Sequence, residues 1–208
     1  MTVSLPPLPR RIQRLPRDRR GFPIPWFVAT IDGEPDFRVI GRGKLADAVR
    51  QKRCWVCGEP LGRKLAFVIG PMCAITRVIS EPPSHRDCAL FSAHACPFLT
   101  QPRMRRNEKD LPENRVEPAG YGLSRNPGAC CVWITHEYHT VRAHRGNDGI
   151  LFQLGEPTEV LWFCNGRQAT REEIAASMES GLKLLPPGEG PAEWEMARVA
   201  PLLDGLPS

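Results

Sequence analysis

Four residues in this chain have the types and spacing to hold one metal ion. Cys54-Trp55-Val56-Cys57-Gly58 puts two thiols on either side of a two-residue gap, with a glycine directly behind them. Thiolates so spaced can bind one ion when the backbone turns tightly between them, and glycine accepts the positive φ or close approach that such a turn needs. The second pair, His85 and Cys88, follows Pro82-Pro83-Ser84. The prolines stop any helix upstream and Ser84 is a good N-cap, so residues 85–95 read as a helix that ends before Pro97. Positions i and i+3 share a helix face, which directs His85 and Cys88 to a common point in the first turn. Three sulfurs and one nitrogen suit Zn2+ in a closed tetrahedral site. With no open position for water, the ion would be structural, and its binding energy would contribute to folding.

The compartment decides how the remaining thiols are read. No stretch approaches the roughly 20 apolar residues that span a bilayer, and no 7–15-residue apolar core marks a secretory signal. A cytoplasmic protein is expected, and no membrane partner. In a reducing compartment clustered Cys and His point to metal or catalysis rather than disulfides. Five of the eight cysteines lie between Cys54 and Cys96. Cys96 falls eight residues after Cys88, about 12 Å along a helix at ~1.5 Å per residue, too far to share the same ion easily. It reads as a small buried residue, whereas Cys73 could replace a ligand if its hairpin folded back. Cys130-Cys131 starts a strand, one expected inside and one outside, and Cys164 reads as a buried strand residue.

His136-Glu137-Tyr138-His139 invites an acid–base or second-metal reading. Its histidines are three apart, whereas the helical zinc motif needs four, and on a strand they point to opposite faces. His136 and His144 share a face only if the strand runs straight between them. His94 stands alone near the end of the ligand helix. No nucleophile elbow, phosphate loop or dinucleotide fingerprint appears, so catalytic residues are unassigned.

The elements that must position the metal pairs follow. Between them lie Leu65-Ala66-Phe67-Val68-Ile69, a Gly70-Pro71 turn, and Ala74 to Ile79, read as a hairpin. Knuckle, hairpin, then a helix with two ligands in its first turn resembles the treble-clef class of zinc finger over residues 53–97. That class serves nucleases, DNA binders, ribosomal proteins and interaction modules alike, so the resemblance implies a fold and a Zn2+ site but no activity. The remainder is similar to bacterial and phage proteins with a central zinc finger.

Around the module, residues 1–25 read as a basic Pro/Arg-rich arm, in polyproline II or disordered. Residues 26–31 and 37–40 read as a hairpin across Asp32-Gly33, and 45–52 as a short helix. Residues 100–129 read as a long loop. A strand at 131–134 is expected to continue through 138–141, and 150–154 with 160–164 to form a second hairpin. Thr170 and Glu173 make a capping box for a helix that ends near Gly181. The expected class is α+β, with a zinc-containing domain over 26–180 and a tail over 181–208 carrying a short helix.

Charge narrows the partner. The formal charge is +5. Arg10, Arg11, Arg14, Arg17, Arg19 and Arg20 stand against Asp18 alone in residues 1–20, which leaves 22 basic and 22 acidic residues elsewhere. The arm, and a second cluster at Arg103, Arg105, Arg106 and Lys109, could contact nucleic acid or an acidic protein. The competing readings are a nuclease-like enzyme using His136, His139 or His144, and an interaction module presenting Trp55, Trp133 or Trp162. Because His85 is committed to the ion, binding is preferred over catalysis.

Overall fold

The computed structural model describes residues 5–120, 122, 125–188 and 190–203. Residues 1–4 of the arm, 121, 123 and 124 of the long loop, and 189 and 204–208 of the tail lie outside the described residues.

The arm is folded, contrary to the expected disorder. It contains one helical turn, Arg10–Gln13 (α1), from which Ile12 points inward at 1% exposure. Further on, the Asp18 carboxylate caps a turn by accepting from the N–H groups of Arg20 and Phe22. Leu8, Ile12 and Leu15 recur at i, i+4 and i+7, an apolar stripe that the proline and arginine content obscures.

Val28–Ile31 (β1) and Glu34–Ile40 (β2) pair as the anticipated hairpin, and Lys44–Arg50 (α2) follows as the anticipated helix. Leu65–Ile69 (β3) does not form a hairpin with the residues after it. Gly70-Pro71 opens a helix instead, Pro71–Thr76 (α3), because a proline at the first helical position loses no needed N–H. The short strand Val78–Ile79 (β4) follows. Next come Arg86–Ala95 (α4) and Pro97–Thr100 (α5). Among the described residues no strand or long helix then follows until Ala129–Thr135 (β5).

The expected continuation of this strand does not occur. The chain turns after Thr135, and Tyr138–Arg142 (β6) joins a different sheet. Ile150–Leu154 (β7) and Pro157–Cys164 (β8) are not partners either. β7 pairs with β4 and β6, while β8 pairs with β5 and the two-residue Arg167–Gln168 (β9). At Gly155, between β7 and β8, a Cβ would lie 2.6 Å from Glu137 Cγ and 2.8 Å from its carbonyl oxygen, so the crossover packs tightly on the β5–β6 turn. Arg171–Leu182 (α6) has the anticipated capping box, with Thr170 accepting from the Glu173 N–H and Glu173 accepting from the Thr170 N–H. Glu193–Ala197 (α7) and a 3₁₀ turn at Ala200–Leu203 end the described chain.

All seven residues of β5 are buried, because both faces of the sheet β3-β5-β8-β9 are covered. Cys131 and Trp133 enter one core with Ile75 of α3, Phe152 of β7 and Ile174 and Met178 of α6. Cys130, Val132 and Ile134 enter the other, against Ala89 and Ala93 of α4. The outward position expected for one of Cys130 and Cys131 therefore does not exist. The second core seats α4, the ligand-bearing helix, on the central strand. The protein is mixed helix and strand, consistent with the α+β class.

Candidate metal centre

The knuckle is shaped by its own backbone. Arg53 and Pro60 face each other in an isolated bridge, and the Cys54 N–H donates to the Glu59 carbonyl at 2.8 Å. Gly58 closes the turn by donating to the Cys54 carbonyl at 2.9 Å, with φ +74. Its missing side chain matters twice. A Cβ there would lie 2.5 Å from the Trp26 ring, and the Trp26 main chain is tied to the knuckle by a backbone N–H to Val56 carbonyl bond of 2.7 Å.

The second pair is brought in by β3. Ala66 exchanges two backbone hydrogen bonds with Ser84, at 2.9 and 2.7 Å, and the Trp55 N–H reaches the Pro83 carbonyl at 3.0 Å. These bonds hold the end of the proline segment against the knuckle. His85, rather than Ser84, is the N-cap of α4, with extended ψ of 151. Cys88 lies one turn further in.

The four ligand atoms of Cys54, Cys57, His85 and Cys88 all lie within 4.8 Å of one another. A tetrahedral ion with Zn–S bonds of ~2.3 Å separates its sulfurs by roughly 3.8 Å, so the arrangement fits a single ion. His85 Nδ1 lies 3.4 Å from Cys57 Sγ, and its other ring nitrogen, Nε2, lies 3.0 Å from the Pro60 carbonyl. A carbonyl can only accept, so Nε2 carries a proton and Nδ1 is the nitrogen that faces the thiols and could ligate an ion. The Cys54 sulfur also accepts from the N–H groups of Cys57 and His85, both at 3.4 Å. Cys54 and Cys88 are fully buried and His85 is 9% exposed.

Electrostatics point the same way. Burial opposes ionising Cys54, yet hydrogen bonds from Cys57, Cys88 and His85 outweigh it and hold its thiol far below the ordinary range. Cys88 moves upward, through its hydrogen bonds to Cys54 and Cys57 and then through burial. His85 is pushed up to about 10 by hydrogen bonds to Cys54 and Cys57. One sulfur keeps its charge only by borrowing protons from its neighbours. A dication in place of those protons lets three sulfurs ionise together, and binding then releases protons. With four protein ligands and no open position, such a site does not activate water.

The other candidates do not join it. Among the described residues this is the only group of three or more metal-type side chains close enough to share an ion. Cys73 lies in α3, its thiol pushed up to about 11 by burial, and Cys96 ends α4 with its thiol also raised by burial. Burial likewise pushes Cys130 up to about 12 and holds Cys131 well above the ordinary thiol range. His136, His139 and His144 are exposed and form no joint site: His136 Nδ1 meets the Arg63 carbonyl at 3.1 Å, and His139 lies in β6 opposite Gln153. His94 packs edge-on against Phe163, with Nδ1 2.6 Å from the Gly166 carbonyl. Trp55, Trp133 and Trp162 are 3%, 0% and 1% exposed, so none of them offers a partner surface.

The arginine clusters divide. Arg11 pairs with both Glu59 and Asp87, Arg14 with Glu59, and Arg20 with Asp18. Arg17 donates to the Gly21 carbonyl, and Arg10 and Arg19 are exposed. Arg103, Arg105 and Arg106 are all exposed on a segment with fixed anchors. Arg103 N–H donates to the Asn126 carbonyl, and buried Asn126 donates to the carbonyls of Phe98, Leu99 and Gln101. From β2, Arg38 donates to the carbonyls of Asn107 and Lys109 while paired with Asp36. Sequence reasoning missed Asn126, Arg38 and the Pro60 carbonyl, whose roles depend on distant partners. Ile12 left a readable signal in its helical spacing.

Comparison with protein families, curated proteins and solved structures finds no match for this chain. Among the described residues no helix is long and apolar enough to cross a membrane.

Proposed function

We propose that this is a zinc protein of the cytoplasm whose ion is structural, and that it binds nucleic acid through arginines on either side of the zinc-stabilised fold. The observation that carries the reading is the closed group of three thiols and one imidazole joining a knuckle to a helix start. Those two parts support the comparison with treble-clef fingers. The hairpin that class places between them is replaced here by β3 and α3.

The nucleic-acid side rests on exposed, anchored cations. Arg103, Arg105 and Arg106 project from a loop held at both ends, which lowers the entropy lost on contacting phosphate. Arg10, Arg17 and Arg19 add charge without an acidic partner among the described residues. Such contacts read backbone rather than sequence, so binding is expected to be salt-dependent and weakly selective. An acidic protein partner would engage the same groups.

Fluorescence anisotropy with a labelled duplex and a labelled single strand, across a salt series, tests this. Replacing Arg103, Arg105 and Arg106 by alanine should weaken binding at every salt concentration. It should also flatten the slope of log K against log salt by about 2–3, at ~0.7–0.9 per lost phosphate contact. Equal binding by the triple variant, or no binding to either probe at low salt, overturns the nucleic-acid reading.

A further inference from the structure

The metal centre has a cover built from a remote part of the chain. Ile12 of α1 is 1% exposed and packs with Cys54, Val56, Cys88 and Phe91, flanked by Leu8 and Leu15. Two of its neighbours are ligands, one from each half of the cage. Arg11 repeats the pattern in charge. Its Nε lies 3.2 Å from Glu59, two residues beyond Cys57, and a terminal nitrogen lies 3.2 Å from Asp87, the residue before Cys88. Arg14 adds a second bond to Glu59 at 2.9 Å. One helical turn thus bridges the knuckle and the ligand helix from outside. A Cys3His site holding Zn2+ would carry one net negative charge, and the Arg11 guanidinium is held beside that cage by Asp87, the neighbour of Cys88.

We propose that residues 8–15 are a clasp on the metal centre, which shuts water and competing ligands out of the cage so that ion exchange waits on its opening. The inference rests on the reading of Cys54, Cys57, His85 and Cys88 as a zinc site. Ile12 supplies the seal and Arg11 ties the two ligand-bearing segments together. Arg11 and Arg14 are spent on this contact, whereas Arg10 and Arg19 have no acidic partner among the described residues.

The test uses the full-length chain loaded with zinc, with metal content measured before any kinetics. Zinc release into excess colorimetric chelator is then followed for the natural chain and for Ile12→Ala, Arg11→Ala combined with Arg14→Ala, and Lys183→Ala, which removes an exposed ion pair at the end of α6. Release should quicken by about tenfold or more in Ile12→Ala, as expected for truncating a fully buried aliphatic side chain. It should quicken by about two- to fivefold in the double arginine variant, as expected for losing partly exposed ion pairs, and be unchanged in Lys183→Ala. Should Ile12→Ala fail to fold, the double arginine variant decides, since it alters only partly exposed side chains. Stoichiometric zinc with release unchanged in the variants overturns the clasp and leaves the metal site standing. Absence of zinc from the natural chain overturns both.

Discussion

Gly58→Ala isolates what the knuckle geometry is worth. The residue sits at φ +74, where a Cβ costs about 1–2 kcal/mol. The added methyl would also meet Trp26 Cδ1 and Cγ at 2.5 Å, well inside contact distance. Relief requires the Trp26 ring to leave the Lys44 ammonium, 4.2 Å from its centroid, because the Trp26 main chain is fixed by the backbone N–H to Val56 carbonyl bond. Overpacking of this kind costs about 1–3 kcal/mol, for a total of about 2–5 kcal/mol. If the ligands are ordered by the metal, the cost appears in affinity, weakening zinc binding by about 30-fold to about 4,000-fold. A competitive chelator titration reads this directly. Adding Trp26→Ala should recover part of the loss by removing the clash and leaving the backbone strain, so the two substitutions should be non-additive. A Gly58→Ala protein that binds zinc as tightly as the natural chain would refute the reasoning.

Further predictions concern the scaffold. Thr170→Ala removes the cap of α6 and should cost about 1 kcal/mol, lowering the melting temperature by roughly 2–4 °C. Trp133→Ala empties the centre of the larger core, where the ring is fully buried and its Nε1 donates to the Gly155 carbonyl, and should cost about 3–5 kcal/mol in urea unfolding. The Arg167 guanidinium, then the Thr170 N–H, hold the Glu173 carboxyl down at about 2. A depressed carboxyl contributes fully above its unfolded value of about 4.3 and loses that contribution as pH falls toward the folded value. Glu173→Gln should therefore be less stable than the natural chain at neutral pH and converge on it near pH 2, as followed by pH-dependent denaturant unfolding.

The metal centre was legible because its information is local. Ligand spacing, Gly58 and the proline stop before α4 each act within a few residues, and so does the capping box of α6. Strand partnership is not local. The Gly70-Pro71 turn signal serves equally to open a helix, and what decided for α3 was that β3 finds its partner in β5, with Phe67 opposite Trp133. Similarly, Gly155-Glu156-Pro157 looks like a hairpin turn but carries the chain from one sheet to the other. Phe152 and Trp162 reach the same core from different sheets, which the alternation along each strand does not distinguish. The adjacent cysteines misled for a related reason: alternation predicts which face a side chain takes, not whether that face is covered. In the arm, composition argued for disorder while the spacing of Leu8, Ile12 and Leu15 carried the opposite message.

The most direct measurement is the metal content of the purified chain by mass spectrometry, paired with circular dichroism before and after a strong chelator. One zinc per chain is expected, with loss of structure on its removal and a substoichiometric content in Cys88→Ser. A natural chain without bound metal, whose spectrum is unchanged by the chelator, would contradict the account.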